Sequence, residues 1–231
     1  MSTPSPATDL RSVRVWDLPT RVFHWSLALL VITSVVTVNI GGNAMTWHFR
    51  AGYAVIALLV FRIVWGLIGG RWSRFASFVY APSTLLRYLR GDHRPGDHFE
   101  VGHNPLGSLS VFGLLGILLL QVSTGLFSDD EIANSGPLVK FVSGAMSSLA
   151  TKWHADVGAV IIYVLVGLHV AAIVYYRRRK QLDLVTPMLT GDKLLSAQVP
   201  ASADGLPRRL IAVAVLTAAG FAVAWLVQLG A

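Results

Sequence analysis

Long apolar runs alternate with short polar segments along the whole chain. Five runs of 18–24 residues contain almost no charge: four lack any acidic residue, and one carries only Asp156, near its start. About 20 helical residues cross the roughly 30 Å hydrocarbon layer of a membrane. The pattern therefore predicts five transmembrane helices in contact with lipid. The runs are residues 23–40, 49–69, 106–127, 153–176 and 211–229.

The polar segments carry the charge unevenly. Arginine and lysine are concentrated before the first run, after the second and after the fourth, which all lie on one side of the membrane if the chain alternates. Because cytoplasmic loops are enriched in these residues, we expect the N-terminus in the cytoplasm and the C-terminus outside. The net charge of +7 is therefore explained by positively charged residues in the cytoplasmic segments of a membrane protein. No nucleic-acid partner is expected.

The connecting segments differ in character. Residues 81–91 predict a short amphipathic helix on the inner membrane surface, with Ser83 as its cap. Residues 91–105 are rich in turn-forming residues and predict an exposed loop. An outer loop is expected at residues 128–152, and a polar linker at residues 181–209 precedes the fifth run, which has no histidine or charge.

Four of the seven histidines lie in or at the mouth of the apolar runs, where ionisable side chains usually mark function. His154 and His169 are 15 residues apart. On an α-helix that spacing separates them by some 22 Å along the axis and by only ~60° around it. With alternating helices, His24 shares the inner depth with His169, and His48 shares the outer depth with His154. Each pair suits one haem, held through two neutral imidazoles.

Cysteine is absent, so any haem is bound without thioether bonds. Both outer histidines occur in the pattern Trp-His-x-x-x-Gly, which places Gly52 and Gly158 one turn deeper on the same helix face. A missing side chain there leaves room for a flat macrocycle, although small residues also serve ordinary helix packing. A metal-ion or proton transporter is the competing interpretation, but it would normally have carboxylates along a polar path.

Two arginines are expected to lie near the inner haem. Arg62 lies 14 residues after His48, at the inner depth, and an arginine suits the carboxylate of a haem propionate. Snorkelling to the inner surface is the alternative for Arg62. Arg21, three residues before His24, has the same expected role, with an interfacial anchor as the alternative.

Four blocks of this sequence resemble successive blocks of the bacterial cytochrome b-561 family, which includes the b-type cytochrome subunit of nickel-iron hydrogenases. They read VRVWDLPTRVFHW, HFRAGYAVIALLVFRIVWGLIG, GHNPLGSLSVFGLL and WHADVGAVIIYVLVGLHVAAIVYY. The resemblance spans residues 13–193 and implies an all-α, integral membrane four-helix bundle with two non-covalent b haems. It places the family's iron ligands at His24 and His169 for the inner haem and at His48 and His154 for the outer haem.

The rest of the chain departs from this core. Residues 1–12 form an N-terminal tail, and residues 194–231 hold the linker and a fifth transmembrane helix. The resemblance implies a protein of the bacterial inner membrane that passes electrons between the quinone pool and a partner at the outer face. The partner is expected to be a c-type cytochrome or an oxidoreductase subunit.

Further residues are candidates for contacts with quinone and partner. His103 and Asn104, at the inner mouth of the third spanning helix, are candidates for quinone binding, with a helix cap as the alternative for Asn104. The acidic residues 129–131 are candidates for docking a basic c-type cytochrome. Two other functions stay open: a self-contained enzyme that oxidises superoxide or another small anion with quinone, and a haem-bearing anchor for a soluble oxidoreductase.

Overall fold

The computed structural model describes residues 10–94, 96–196 and 199–230. Most of the expected N-terminal tail, residues 1–9, lies outside the described residues. Five helical segments are long and apolar enough to cross a membrane. The helices are α1 (Leu18–Ile40), α2 (Met45–Ile68), α3 (Pro82–Leu89), α4 (Pro105–Gly125), α5 (Gly144–Lys152), α6 (Ala159–Arg179), α7 (Val185–Thr190) and α8 (Leu206–Gln228). We call the end of the bundle where α1 begins the inner end and the opposite end the outer end.

The fourth spanning segment is longer than the sequence predicts. Helix α5, a π-helical turn at Trp153–Gly158 and α6 form one continuous segment, Gly144–Arg179, of 36 residues. At about 1.5 Å per residue it is roughly 54 Å long, against about 30 Å of hydrocarbon. The expected outer loop at residues 128–152 is therefore wrong in its second half. Ser143 caps α5 by accepting a hydrogen bond from the Met146 amide.

Helices α1, α2, α4 and α6 form the bundle. Helix α1 packs along α2, α4 packs along α6, and α2 also contacts α4. Outward positions are apolar as well: Leu29 of α1 is 64% exposed, which suits a side chain that faces lipid. One buried cluster joins three of the helices near their middle, and it consists of Val55, Leu59, Leu118 and Ile162.

Helix α8, the predicted fifth transmembrane helix, packs along the outside of α2. Ala212, Ala219 and Val223 are its buried residues. Small side chains let two helix backbones approach closely in a membrane. At the inner end, Arg208 Nη1 donates a hydrogen bond of 2.8 Å to the carbonyl of Ile68, the last residue of α2. Helix α8 therefore supports the bundle by holding α2.

The inner end carries an ordered layer that corrects three expectations. Strand β1 (Arg11–Arg14) pairs antiparallel with β2 (Asp192–Leu195), so the chain is not entirely helical. The polar linker is partly ordered by this pairing and by α7. The loop at residues 91–105 is not fully exposed, because Val101 is buried against Trp72 in a cluster that also includes Val15, Trp16 and Leu195.

Asp17 connects the start of α1 to the end of α2. Its carboxylate is fully buried and caps α1 by accepting a hydrogen bond of 2.8 Å from the Thr20 amide. It also accepts hydrogen bonds from Trp65 Nε1 at 3.2 Å and from the Gly70 amide at 2.8 Å. Burial of a carboxylate is tolerated when several donors surround it. Asp17 thus fixes the beginning of α1, close to His24.

Helix α3 forms where the sequence predicts a short amphipathic helix. Leu86 and Leu89 are more than half exposed on its apolar side. Its cap is Ala81, and Pro82 is its first residue, so Ser83 is not the cap. The physical reason is that the fixed φ of proline suits the first helical position, where no amide hydrogen is needed.

Candidate functional site

The structure brings four histidines together as two pairs, one near each end of the bundle. His24 on α1 faces His169 on α6, with ring centres 6.4 Å apart and ring planes at 48°. His48 on α2 faces His154 in the π-helical turn, with ring centres 6.0 Å apart and planes at 86°. These are the pairs that depth along the helices predicts. Their role as iron ligands stays a prediction.

A cavity of about 660 Å³ lies between the bundle helices at the outer end. Its volume falls in the range of about 300–1,000 Å³ that is usual for ligand and cofactor sites. His48 and His154 lie on its wall, together with apolar side chains such as Val31 and Val55. Gly52 also lies on the wall, and a Cβ atom added there would meet nothing within 4 Å. The room expected beside Gly52 is therefore present.

The expectation for Gly158 is corrected. A Cβ atom added at this position would collide with Oε1 of Gln121 on α4. The space left by Gly158 is thus taken by a side chain of the protein and is not open for a macrocycle.

The two outer histidines have defined tautomers. Nδ1 of His48 lies 2.9 Å from the Ser34 carbonyl oxygen, and Nδ1 of His154 lies 2.9 Å from the Gln121 carbonyl oxygen. A carbonyl oxygen only accepts hydrogen bonds, so Nδ1 carries the proton in both rings. Nε2 of each neutral imidazole then keeps its lone pair, which is the form that binds a metal.

Because the His154 ring lies against Gly125, the last residue of α4, only a residue without a side chain fits at position 125. A Cβ atom added at Gly125 would lie 2.8 Å from His154 Cε1 and 3.1 Å from its Nδ1. Sequence reasoning missed this residue because nothing distinguishes it from Gly113 and Gly116 on the same helix. Gln121 was missed too, although an amide inside an apolar run is a recognisable signal of an interhelical contact.

The inner histidines have weaker hydrogen bonds at Nδ1 than the outer ones. Ser110 Oγ lies 3.4 Å from His169 Nδ1, which is longer than a good hydrogen bond. Nδ1 of His24 is buried and has no hydrogen-bond partner within the described part of the chain. The outer and inner pairs therefore have similar ring separations but different support.

The two arginines near the inner pair have protein partners. Arg62 is only 3% exposed; its Nη1 donates a hydrogen bond of 3.0 Å to the Ser73 carbonyl, and its guanidinium lies 4.7 Å from the ring centre of Phe75. It does not snorkel to the surface. Arg21 donates from Nη1 to the Leu189 carbonyl, which ties α1 to α7. A propionate contact stays a prediction for both arginines.

The two candidates for quinone binding differ in their surroundings. His103 lies 4.7 Å from Trp16 and 4.5 Å from Phe78, ring centre to ring centre, and its buried Nδ1 has no partner among the described residues. Burial, assisted by the charge of Arg62, lowers the pKa of His103 to about 3. Asn104 caps α4 through its side-chain oxygen, and its amide donates to the Tyr176 hydroxyl at 3.0 Å. The structure therefore favours the capping role for Asn104.

The paired imidazoles fit a haem. A metal–nitrogen bond is about 2 Å, and the ring centre lies about 1 Å behind the nitrogen, so two imidazoles on opposite faces of one iron have ring centres ~6 Å apart. The measured separations of 6.4 and 6.0 Å agree with this value. At the outer pair the largely apolar cavity also suits the porphyrin.

Comparison with known proteins identifies the family. The family model described as Prokaryotic cytochrome b561 matches residues 15–191. A probable Ni/Fe-hydrogenase B-type cytochrome subunit from Rhizobium leguminosarum bv. viciae is 23% identical, over 81% of this chain and 91% of that protein. A protein of the same description from Rhodobacter capsulatus is 27% identical, over 80% of this chain and 85% of that protein.

A third relative, the probable Ni/Fe-hydrogenase 1 B-type cytochrome subunit of Escherichia coli (strain K12), is 26% identical over 61% of this chain and 73% of that protein. No solved structure matches the chain. The family match contains all four paired histidines and ends before α8. With its apolar spanning helices, the chain thus belongs to the prokaryotic cytochrome b561 family, as a multi-pass bacterial membrane b-type cytochrome that binds haem b and takes part in electron transfer.

Proposed function

We propose that this cytochrome holds two haems and relays electrons across the membrane between the quinone pool and a redox partner at the outer face. The observation that carries the proposal is the presence of two imidazole pairs, one at each end of the bundle, both with the ring separation of bis-histidine ligation. Haem b supplies one-electron oxidation and reduction when it is bound. A single pair would serve only one side of the membrane.

The histidines determine which chemistry is possible. His24 with His169, and His48 with His154, would each hold one haem through two imidazoles, and a haem held in this way would leave no iron site for a substrate. The wall of the outer cavity is largely apolar. This arrangement favours electron transfer over oxygen chemistry at the iron.

We place the quinone contact at the inner end, with His103 as its polar group. The support is its unpartnered Nδ1, which lies near Arg62 and the inner pair. Asn104 is not included, since both of its polar atoms already have partners. The inner end is assigned to the cytoplasmic side because the arginine clusters surround it.

An oxidoreductase subunit is the partner that we propose for the outer end. The relatives named as Ni/Fe-hydrogenase cytochrome subunits support this choice. The outer loop with the acidic residues 129–131 offers a surface for a partner, since Ile132 at its tip, beside Glu131, is 91% exposed. Asp130 organises this tip, because hydrogen bonds from the Asn134 side chain and from the amides of residues 132–134 hold the pKa of its carboxyl well below the usual range. A c-type cytochrome would use the same acidic surface.

Histidine variants test the two-haem arrangement. We expect His169→Ala to remove the inner haem and His154→Ala to remove the outer haem, so each variant should keep one haem per chain. His98→Ala, at an exposed position outside both pairs, is the matched control and should keep two haems. The measurement is the number of haems per chain, obtained from optical spectra of the purified proteins. Two haems in both pair variants would contradict the proposed pairing.

Quinol reduction tests the direction of the relay. Purified protein mixed with quinol should show rapid haem reduction without any protein partner, and His103→Leu should slow this reduction while keeping two haems. A haem-bearing anchor would not be reduced by quinol. Sustained turnover with superoxide and quinone, and no partner, would instead identify the self-contained enzyme.

A further inference from the structure

One residue on α4, Gln121, holds the outer histidine of the π-helical turn at two points, once through its backbone carbonyl and once through its side-chain amide. His154 Nδ1 donates a hydrogen bond of 2.9 Å to the Gln121 carbonyl oxygen. In return, Gln121 Nε2 donates a hydrogen bond of 2.8 Å to the His154 carbonyl oxygen. The reciprocal bonds fix both the imidazole ring and the backbone of His154 relative to α4.

Gly158 makes this contact possible. An added Cβ atom at Gly158 would collide with the Gln121 amide and would also approach Trp153 Nε1 to 3.2 Å. Any larger residue at this position would push Gln121 away from the turn. The glycine of the Trp-His-x-x-x-Gly pattern thus acts on His154 indirectly, through the side chain that it accommodates.

We propose that Gln121 is a positioning residue for the outer haem, and that its side-chain amide fixes the backbone of the π-helical turn at His154 and thereby the orientation of the His154 ring. The backbone carbonyl of Gln121 keeps the proton of His154 on Nδ1, and the side-chain bond holds the turn in which the ring plane lies at 86° to that of His48. This inference rests on the proposed function, in which His48 and His154 bind one haem. Groups that orient a metal-bound histidine typically change metal affinity or activity by about 10- to 100-fold.

The inner pair provides an internal reference. His169 has only a distant Ser110 hydroxyl at Nδ1, and His24 Nδ1 has no partner within the described residues. Among the described residues, no side chain donates a hydrogen bond to the backbone of either inner histidine as Gln121 does to that of His154. Loss of Gln121 should therefore affect one of the two haems and leave the other unchanged.

The first variant is Gln121→Met, which keeps the length of the side chain and removes its amide. We expect the outer haem to transfer to excess apomyoglobin about 10- to 100-fold faster than in the wild type, while the inner haem transfers at the wild-type rate. The electron paramagnetic resonance spectrum of the ferric protein should change for one haem only, because this spectrum depends on the angle between the two imidazole planes. Ser123→Ala, two residues further along α4, is the control and should change neither measurement.

A second pair of variants tests the role of Gly158. Gly158→Ala should produce the same change as Gln121→Met, because it displaces the amide. In a Gln121→Ala background, where the amide is already gone, Gly158→Ala should add little, and the double-mutant cycle should show strong non-additivity. Additive effects would overturn the indirect role of this glycine.

The outcomes separate this inference from the proposed function. If Gln121→Met keeps two haems with wild-type transfer rates and spectrum, Gln121 is not a positioning residue, although the two-haem arrangement stands. If the wild-type protein itself binds no haem between His48 and His154, the proposed function fails, and the inference fails with it. A loss of both haems at equal rates would also overturn it, since the effect would then be general unfolding.

Discussion

Gly125→Ala is expected to remove the outer haem selectively. The added Cβ atom would lie 2.8 Å from His154 Cε1, whereas carbon atoms in good contact are about 3.5–4.0 Å apart. The imidazole therefore has to move by at least ~0.7 Å. A shift of this size is enough to take the 2.9 Å bond between His154 and Gln121 out of the hydrogen-bonding range.

The energetic cost follows from these contacts. Overpacking costs about 1–3 kcal/mol, and the weakened hydrogen bond costs about 0.5–1.5 kcal/mol. A combined cost of about 1.5–4.5 kcal/mol corresponds to an affinity for the outer haem that is roughly 10- to 2,000-fold weaker. The inner pair is near the other end of the bundle and should keep its haem.

The assay is the ratio of haem to polypeptide in the purified variant, measured from the pyridine haemochrome spectrum. We expect about one haem per chain for Gly125→Ala after purification in detergent. Gly113→Ala and Gly116→Ala are matched controls on the same helix, because an added Cβ atom meets nothing within 4 Å at either position. Two firmly bound haems in Gly125→Ala would refute the assigned position of His154.

Three further predictions concern stability. Asp17→Ala leaves three donors, including Trp65 Nε1, without their acceptor, and should lower the free energy of unfolding by about 3–6 kcal/mol in a thermal melt. The pKa of His103 is about 3 in the folded protein and 6.5 in the unfolded chain, so protonation favours unfolding as the pH falls. Stability should drop by about 1.4 kcal/mol per pH unit between pH 6.5 and 3. Asp204→Ala removes an ion pair of 3.1 Å with Arg14 and should cost about 1–3 kcal/mol.

Each of these predictions has an outcome that contradicts it. An Asp17→Ala protein with a wild-type melting temperature would show that the buried carboxylate does not hold α1 to α2. His103→Leu should flatten the acid slope, and an unchanged slope would assign the acid sensitivity to other groups. Asp204→Asn keeps the size of the side chain and removes its charge, so a wild-type melting temperature in this variant would contradict the stabilising role of the ion pair with Arg14.

The membrane-spanning helices and the histidine pairs could be predicted from the sequence. Hydrophobic length sets the number of spans, and alternation sets their direction, so the depth of each histidine follows from its place in a run. The pairs His24 with His169 and His48 with His154 need only this one-dimensional information. For the same reason, the prediction did not depend on the details of side-chain packing.

Contacts that depend on packing between helices could not be predicted. Regular 3.6-residue periodicity gives no sign of the π-helical turn around His154, and the space at Gly158 is filled by Gln121 of another helix. Gly125 matters because of the position of a ring on another helix. The inner layer was missed because β1 and β2 are each only four residues long and lie far apart in sequence.

Some of the missed features do have a sequence signal. Asp17 followed by Leu18-Pro19 is a usual helix start, with an acidic cap and a proline in the first turn. That signal predicts the bond to the Thr20 amide. It does not predict the further bonds to Trp65 and Gly70, since these depend on the packing of α2 against α1.

The haem count of the wild-type protein tests the central claim most directly. Protein purified from haem-replete cells should show a reduced-minus-oxidised spectrum of b-type haem with two haems per polypeptide, both of them low-spin. That result would agree with two imidazole pairs with ring centres 6.0 and 6.4 Å apart. A folded preparation with one haem per chain, or with none, would contradict the account.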